Sequence, residues 1–246
     1  YLAVAVGISM LIAGKVDNRK AGNCPRLGYG ACVPSYNRST QSSIMKKWHL
    51  LDEAKTPDGG RLSLHERDGL YVIRVDGMDL MSTHQHASEE RLAEVACDHL
   101  REKTDSHVLI GGLGMGFTLQ AALKCLPSTA KVSVVEIFAA VIAWNQDPRY
   151  GFASTLLKDS RVELIHTDVA DVIDRSSAEF DAIMLDVDNG AAAFTIRDNK
   201  RLYKAEGLRR VQTALRPGGC AAFWSATPDP QFAKLMAKGG FAVTVE

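Results

Sequence analysis

The chain has 246 residues, of which 46% are apolar and 24% are charged, as in an ordinary globular protein. This balance excludes a wholly disordered chain and a collagen-like one. Lysine and arginine together number 29, and so do aspartate and glutamate, so no net charge draws the protein to nucleic acid or to an anionic membrane. The length suits one large domain, or a small domain joined to a medium one.

The cysteines favour a reducing compartment. They are odd in number, widely spaced and without a C-x-x-C pair: Cys24, Cys32, Cys97, Cys125 and Cys220. This pattern argues for buried free thiols and against a disulfide framework or a zinc site. We therefore expect a cytoplasmic protein that holds no metal.

The first 44 residues differ in pattern from the rest. Tyr1–Gly14 is apolar but falls short of the roughly 20 residues that span a bilayer, and no basic segment precedes it as in a signal peptide. Lys15–Ile44 has no apolar period and is rich in loop-forming residues. We interpret residues 1–44 as a disordered or misread extension, and we expect translation to begin at Met45.

Three short strands are predicted next, over Arg61–Glu66, Leu70–Val75 and Met78–Ser82. An Asp-Gly pair separates each strand from the next, which is the strongest short-range hairpin signal. We expect residues 45–87 to form a small antiparallel β-domain. Ser88 then has the position of a helix N-cap, because two glutamates follow it in the first turn.

Strands and helices alternate over residues 88–246. The predicted strands are His107–Gly111, Lys131–Ile137, Arg161–His166, Phe180–Asp186, Gly219–Ser225 and Phe241–Val245. The predicted helices lie near Thr118–Leu126, Phe138–Gln146, Val169–Arg175, Arg201–Leu215 and Pro230–Lys238. This alternation predicts an α/β fold with a doubly wound, mainly parallel sheet, and the apolar strands suit a sheet buried on both faces.

A glycine-rich turn directly follows the first of these strands and precedes a helix. Its glycines are Gly111, Gly112, Gly114 and Gly116. Glycine lets the backbone turn sharply and approach a ligand, and the helix N-terminus adds exposed N–H groups. Such a run is sometimes only a tight turn, so its context decides the interpretation.

Acidic residues stand at the ends of the next three strands. Glu136 closes the second strand, where a carboxylate can accept both hydroxyls of a ribose, Asp168 follows the third, and Asp186 ends the fourth. One aspartate at a strand end is often only a helix cap. Because the carboxyl ends of parallel strands meet at one edge of the sheet, the series predicts a nucleoside-bearing ligand there.

These motifs resemble the polyamine aminopropyltransferases, the family of spermidine and spermine synthases, and particularly its shorter bacterial members. The similarity runs from about Trp48 to Glu246 and rests on LYVIRVDGMDLM, VLIGGLGMGFTLQAAL, VVEIFAAVIAWN, HTDVADVI, FDAIMLDVDNG, NKRLYKAEGL and ALRPGGCAAFWSA. The resemblance implies a class I S-adenosylmethionine-dependent methyltransferase fold behind a small β-domain. It also implies that the glycine turn and Glu136 surround the nucleoside, that Asp168 lies near the adenine, and that Asp186 helps to deprotonate the attacking amine.

Three positions depart from the family's pattern. The family turn usually carries an aspartate where this chain has Gly114, and that aspartate would pair with the donor's ammonium and repel the carboxylate of intact S-adenosylmethionine. A second aspartate after the fourth strand is replaced by Asn189, and a glutamine after the Asp-Gly of the β-domain is replaced by Leu80. These changes favour a different acceptor, a different donor, or a protein that binds a nucleoside without the family's reaction.

The leading interpretation is a spermidine-synthase-like transferase that moves an aminopropyl group from an S-adenosyl sulfonium donor to a small amine or other small acceptor. The donor is S-adenosylmethionine or its decarboxylated form. The alternatives are a methyltransferase that uses intact S-adenosylmethionine, and a non-catalytic nucleoside-binding or dimerisation module. His86, Asp188 and Asn189 are weaker candidates for substrate binding. We expect no metal, no nucleic acid and no membrane partner, and the resemblance implies a homodimer.

Four further residues are interpreted as structural. Trp144, Asn145 and Trp224 are expected to be packing residues or caps, and Arg201 is expected to belong to a solvated basic helix face. A class I fold ordinarily ends in a hairpin whose last strand lies beside the fifth, whereas this sequence predicts six strands after Ser106. We therefore expect the domain of residues 88–246 to lack its last strand and to leave an unpaired sheet edge.

Overall fold

The computed structural model describes residues 9–15, 46–186, 201–225 and 229–245. These residues form two β-sheets, one of four strands and one of seven. Within the same ranges, the helices are all too short or too polar to cross a membrane.

The small sheet is antiparallel and follows the order of the chain. Its strands are β2 (His49–Lys55), β3 (Arg61–Arg67), β4 (Leu70–Val75) and β5 (Met78–Ser82). Asp68 and Asp76 have φ angles of +54° and +49°, and the glycines after them are also at positive φ, as tight hairpin turns require. Sequence analysis predicts three of these strands and misses β2, because its residues HLLDEAK are almost all exposed and do not alternate.

The large sheet has the strand order β11-β1-β10-β9-β6-β7-β8. Its strands are β1 (Ser9–Lys15), β6 (His107–Gly111), β7 (Lys131–Glu136), β8 (Val162–His166), β9 (Phe180–Leu185), β10 (Leu215–Ser225) and β11 (Phe241–Val245). The five strands from β6 to β10 are parallel, which confirms the predicted α/β fold. Strand β10 begins earlier than predicted because an irregularity between Leu215 and Cys220, around a Pro-Gly-Gly sequence, hides its first residues.

Helices cover both faces of the large sheet. They are α1 (Ala87–Cys97), α2 (Phe117–Cys125), α3 (Ala139–Gln146), α4 (Val169–Arg175), α5 (Ala205–Ala214) and α6 (Pro230–Lys238). Val108 and Ile110 pack in a core with α1, α2, α3 and the small sheet, whereas Leu109 packs in a second core with α4, α5 and α6. This alternation along one strand is the geometry of a doubly wound sheet.

The start of helix α1 differs from the prediction. The helix begins at Ala87, and its N-cap is His86, whose side chain forms no capping hydrogen bond. The hydroxyl of Ser88 instead donates to the carboxylate of its neighbour Glu89. Ser88 is therefore inside the first turn, and its hydroxyl forms a hydrogen bond with a side chain rather than with the backbone.

Strand β1 covers the sheet edge that sequence analysis expects to be unpaired. It lies between β10 and β11 and is antiparallel to both, with Ile12 opposite Ala222 on one side and Thr244 on the other. Sequence analysis does not predict this strand, because it places residues 1–44 outside the folded domain. The start of translation at Met45 stays a prediction.

We predict that a proline in β1 destabilises the large sheet. Ile12→Pro removes a backbone N–H from a strand with neighbours on both sides, so we expect a loss of about 1–3 kcal/mol, or roughly 2–12 °C in Tm. Ile12→Val is the matched control, since it keeps the N–H and the branched side chain. Equal melting temperatures for the two variants would contradict a pairing role for this segment in solution.

Candidate active site

A cleft opens where β6, β7, β8 and β9 end. Its walls include Gly112, Gly114 and Glu136 from the first two strand ends, and Asp168 and Asp186 from the next two. The sequence-predicted nucleoside residues at the strand ends are thus brought together. Residues from the small sheet and from α1 line the same cleft, so it is shared by both parts of the chain.

Two of the four predicted glycines line the cleft and two pack behind it. Gly112 and Gly114 are at the surface of the cleft, with φ angles of +95° and +55°. A Cβ atom on Gly111 would lie 2.8 Å from Cγ2 of Val169, and one on Gly116 would lie 2.6 Å from Cβ of Ala153. Gly111 and Gly116 are therefore required for close packing, and a contact of either glycine with the nucleoside stays a prediction.

Asn145 holds the glycine turn in place. Its side chain is buried on α3, and Nδ2 donates hydrogen bonds to the carbonyl oxygens of Gly114, at 2.7 Å, and of Val141, at 2.8 Å. Sequence analysis interprets Asn145 as a packing residue or a cap. The hydrogen bond to Gly114 gives it a more specific structural role, because it ties a helix to the turn that lines the cleft.

Glu136 is a buried carboxylate that binds backbone amides. Oε2 accepts from the N–H of Leu113 at 2.9 Å, and Oε1 accepts from the N–H of Phe138 at 2.8 Å. Burial raises the pKa of Glu136, and these backbone hydrogen bonds oppose that rise. Each carboxylate oxygen can accept more than one hydrogen bond, so the hydroxyls of a ribose could still bind here.

Asp168 has two partners at the start of α4. Oδ1 accepts from the backbone N–H of Ala170 at 2.8 Å, which makes Asp168 the N-cap of this helix. Oδ2 lies 2.7 Å from Nη2 of Arg201, which is also 3.2 Å from the carboxylate of Asp171. The side chain of Arg201 is 41% exposed, so it is partly solvated as expected, but it lies before α5 and also pairs with two carboxylates. The sequence alone does not show that these residues meet in the fold.

Asp186 is held at the end of β9 by two contacts. Its backbone N–H donates to the carbonyl of Gly111 at 3.0 Å, and its Oδ2 accepts from the hydroxyl of Thr118 at 2.7 Å. Thr118 is buried in the first turn of α2, and sequence analysis does not identify it. The sequence feature that could have identified Thr118 is its position two residues after the glycine turn. Asp188 and Asn189 lie outside the described residues.

His86 stacks on an aromatic residue that lines the cleft. Its ring stacks on that of Phe117, with the centroids 4.3 Å apart and the planes at 16°, and Phe117 lines the cleft. Nδ1 of His86 is 3.2 Å from a carboxylate oxygen of Glu90. His86 itself is not among the described residues that line the cleft, so its binding of substrate stays a prediction.

The two tryptophans have different roles. Trp144 is buried, and its Nε1 donates to Oδ2 of Asp52 at 2.8 Å, which links α3 to the small sheet. Trp224, at the end of β10, lines the cleft, and its Nε1 is buried with no hydrogen-bond partner among the residues that the structure describes. The prediction of a packing residue is thus incomplete for Trp224, because its position at a strand end also brings it to the cleft.

Leu80, Met81 and Glu89 also line the cleft. Leu80 and Met81 belong to β5, and Glu89 lies in the first turn of α1. Sequence analysis identifies Leu80 as the residue that replaces a glutamine of the family's pattern, but it does not identify Met81 or Glu89. The position of these two residues at the junction between the small domain and the large one does not indicate that their side chains reach the site.

The fold and the cleft define a class I methyltransferase-like domain preceded by a small antiparallel sheet. Two crystal structures share it. A spermidine synthase in complex with the transition-state analogue AdoDATO matches with a TM-score of 0.58 at 22% identity, over 77% of this chain and 63% of that one. Spermidine synthase from Thermotoga maritima matches with a TM-score of 0.57 at 21% identity, over the same shares of the two chains.

Curated relatives point to the same family. Polyamine aminopropyltransferases from two strains of Saccharolobus islandicus are 30% identical to this chain over 129 residues. The match covers 52% of this chain and 41% of each relative, so it spans less than half of the relatives' length. No protein-family model matches the chain. The sequence match and the fold together confirm the resemblance inferred from the motifs and relate the chain to the spermidine synthase family.

We predict that residue 116 must be glycine, because the packing behind the turn leaves no space for a side chain. Gly116→Ala combines a φ of +82° with a clash against Ala153, so we expect a loss of stability of about 2–5 kcal/mol and weaker nucleoside binding. Gly151→Ala is the matched control, because Gly151 also has a positive φ, of +66°, but open space around it. Urea denaturation measures both, and equal losses would contradict the close contact at Gly116.

Proposed function

We propose that this chain binds an S-adenosyl sulfonium donor in the cleft and transfers its aminopropyl group to a small amine. The observation that carries the proposal is the placement of Asp186, which lines the same cleft as Glu136 and Asp168 and has its carboxylate oriented by the hydroxyl of Thr118. The relatives' name supports aminopropyl transfer. Because the match covers less than half of their length, the activity of this chain is an inference.

The chemistry requires little beyond positioning and proton transfer. The amine must be neutral when its nitrogen attacks the carbon next to the sulfonium, and as the new C–N bond forms the C–S bond breaks, leaving a neutral thioether. The carboxylate of Asp186 attracts the cationic amine and accepts the proton that it loses. The hydroxyl of Thr118 keeps one carboxylate oxygen in place, which limits the orientations of the other.

The second candidate is a methyltransferase that uses intact S-adenosylmethionine. Gly114 is the observation that favours it, since this position carries no carboxylate to repel the donor's own carboxylate. The two candidates differ in the tail of the nucleoside product: 5′-methylthioadenosine has no charged tail, whereas S-adenosylhomocysteine carries an ammonium and a carboxylate.

Calorimetric titration of the full chain with these two products separates the candidates. Under the leading proposal we expect 5′-methylthioadenosine to bind more tightly. Tighter binding of S-adenosylhomocysteine would favour methyl transfer. If neither compound binds, the proposal of a nucleoside site is wrong. A homodimer is part of the leading proposal through the resemblance alone, and a cytoplasmic location is part of it through the pattern of the cysteines.

We predict that Asp186→Asn lowers turnover without abolishing nucleoside binding. With decarboxylated S-adenosylmethionine as donor and putrescine as test acceptor, kcat should fall by about 10²–10⁴, because asparagine cannot accept the proton. The affinity for 5′-methylthioadenosine should stay within about twofold of the wild type, since this compound lacks the reacting cations.

Glu163→Gln is the matched control for this prediction. It also removes one negative charge, but Glu163 is an exposed residue of β8 that pairs with Lys131 at 2.9 Å. Turnover of this variant should equal that of the wild type. Unchanged turnover of Asp186→Asn would remove Asp186 from catalysis.

A further inference from the structure

Four carboxylates of the described residues line the cleft, and three of them already have a defined place. Glu136 binds backbone amides, Asp168 pairs with Arg201, and Asp186 accepts the hydroxyl of Thr118. The fourth is Glu89, which comes from α1 rather than from the end of a parallel strand. Its place on a different wall suggests that it contacts a different part of the ligand.

Glu89 is half-buried on the wall of the cleft. Its carboxylate accepts the hydroxyl of the neighbouring Ser88, which restricts its orientation. Among the residues that the structure describes, no lysine, arginine or histidine forms an ion pair with it, whereas Glu90 and Glu94 on the same helix contact His86 and Arg91. An ionised carboxylate on the wall of a cleft favours a cationic ligand group.

Gly114 supplies no charge to the cleft. A Cβ atom there would lie 3.2 Å from Sδ of Met81, so the flexible thioether would have to give by a few tenths of an ångström. Met81 thus lies against the position where a side chain at residue 114 would begin. A negative charge for the end of the donor's tail must come from another wall of the cleft, and Glu89 is in that position.

We propose that Glu89 determines which donor the cleft accepts. Its carboxylate binds the ammonium of a decarboxylated aminopropyl tail and repels a tail that carries its own carboxylate. This inference rests on the proposed S-adenosyl site and adds to it a residue that selects between the two donors. In this chain a residue of α1, rather than one of the glycine turn, would then distinguish the decarboxylated donor from the intact one.

The test compares three ligands on the full-length chain by calorimetry: 5′-methylthioadenosine, decarboxylated S-adenosylmethionine and S-adenosylhomocysteine. Glu89→Gln should lower the affinity for the decarboxylated donor by about tenfold, because a charge-assisted contact becomes a neutral one. The affinity for 5′-methylthioadenosine should stay within about twofold, since this ligand has no ammonium. S-adenosylhomocysteine should bind the variant as well as or better than the wild type, because a repulsion is removed.

Glu94→Gln is the matched control, since it removes one charge from the same helix at an exposed position. It should leave all three affinities within about twofold of the wild type. An unchanged affinity of Glu89→Gln for the decarboxylated donor would overturn the inference while leaving the proposed function intact, and so would an equal loss for all three ligands. A wild-type chain that binds none of the three would overturn both.

Discussion

The buried carboxylate of Glu136 is the contact on which the cleft depends. One of its oxygens binds the amide of Leu113 in the glycine turn and the other binds the amide of Phe138 after β7, so a single side chain joins two neighbouring strand ends. Asn145 fixes the same turn through the carbonyl of Gly114. Because an unpaired buried charge is costly, the backbone amides that bind Glu136 stabilise the fold as well as the shape of the turn. The shape of the site is thus coupled to the stability of the fold.

The small sheet completes the site rather than merely preceding it. Trp144 donates to Asp52 across the boundary between the two parts, and Leu64 and Ile73 share a core with the helices α1, α2 and α3. This packing places β5 with Met81 against the glycine turn. The strand ends of the large sheet therefore supply carboxylates to the cleft, and the small sheet and α1 supply another part of its wall, which in the proposed function faces the reacting tail.

The sequence predicts the central strands β6, β7 and β9 of the large sheet well, because each of them is a buried run of mainly apolar residues. It also predicts the cleft, since parallel strands bring their carboxyl ends to one edge. It does not predict contacts between distant residues, such as Thr118 with Asp186 or Arg201 with Asp168, which are 68 and 33 residues apart. Strand β1 is missed for the same reason: an apolar segment does not indicate which sheet edge it will join.

The positions of the charged side chains in the cleft suit the proposed donor, which is uncharged at its adenine and cationic at its sulfonium. Arg201 pairs with Asp168, at the end where the resemblance implies the uncharged adenine. Glu89 and Asp186 accept hydroxyl hydrogen bonds from Ser88 and Thr118, which orient their carboxylates. The chain as a whole carries equal numbers of basic and acidic residues, so attraction for a cation must arise from a local arrangement of charges. In the proposed reaction the sulfonium donor and the amine acceptor are both cationic before the amine loses its proton, and carboxylates beside them reduce the repulsion as they approach.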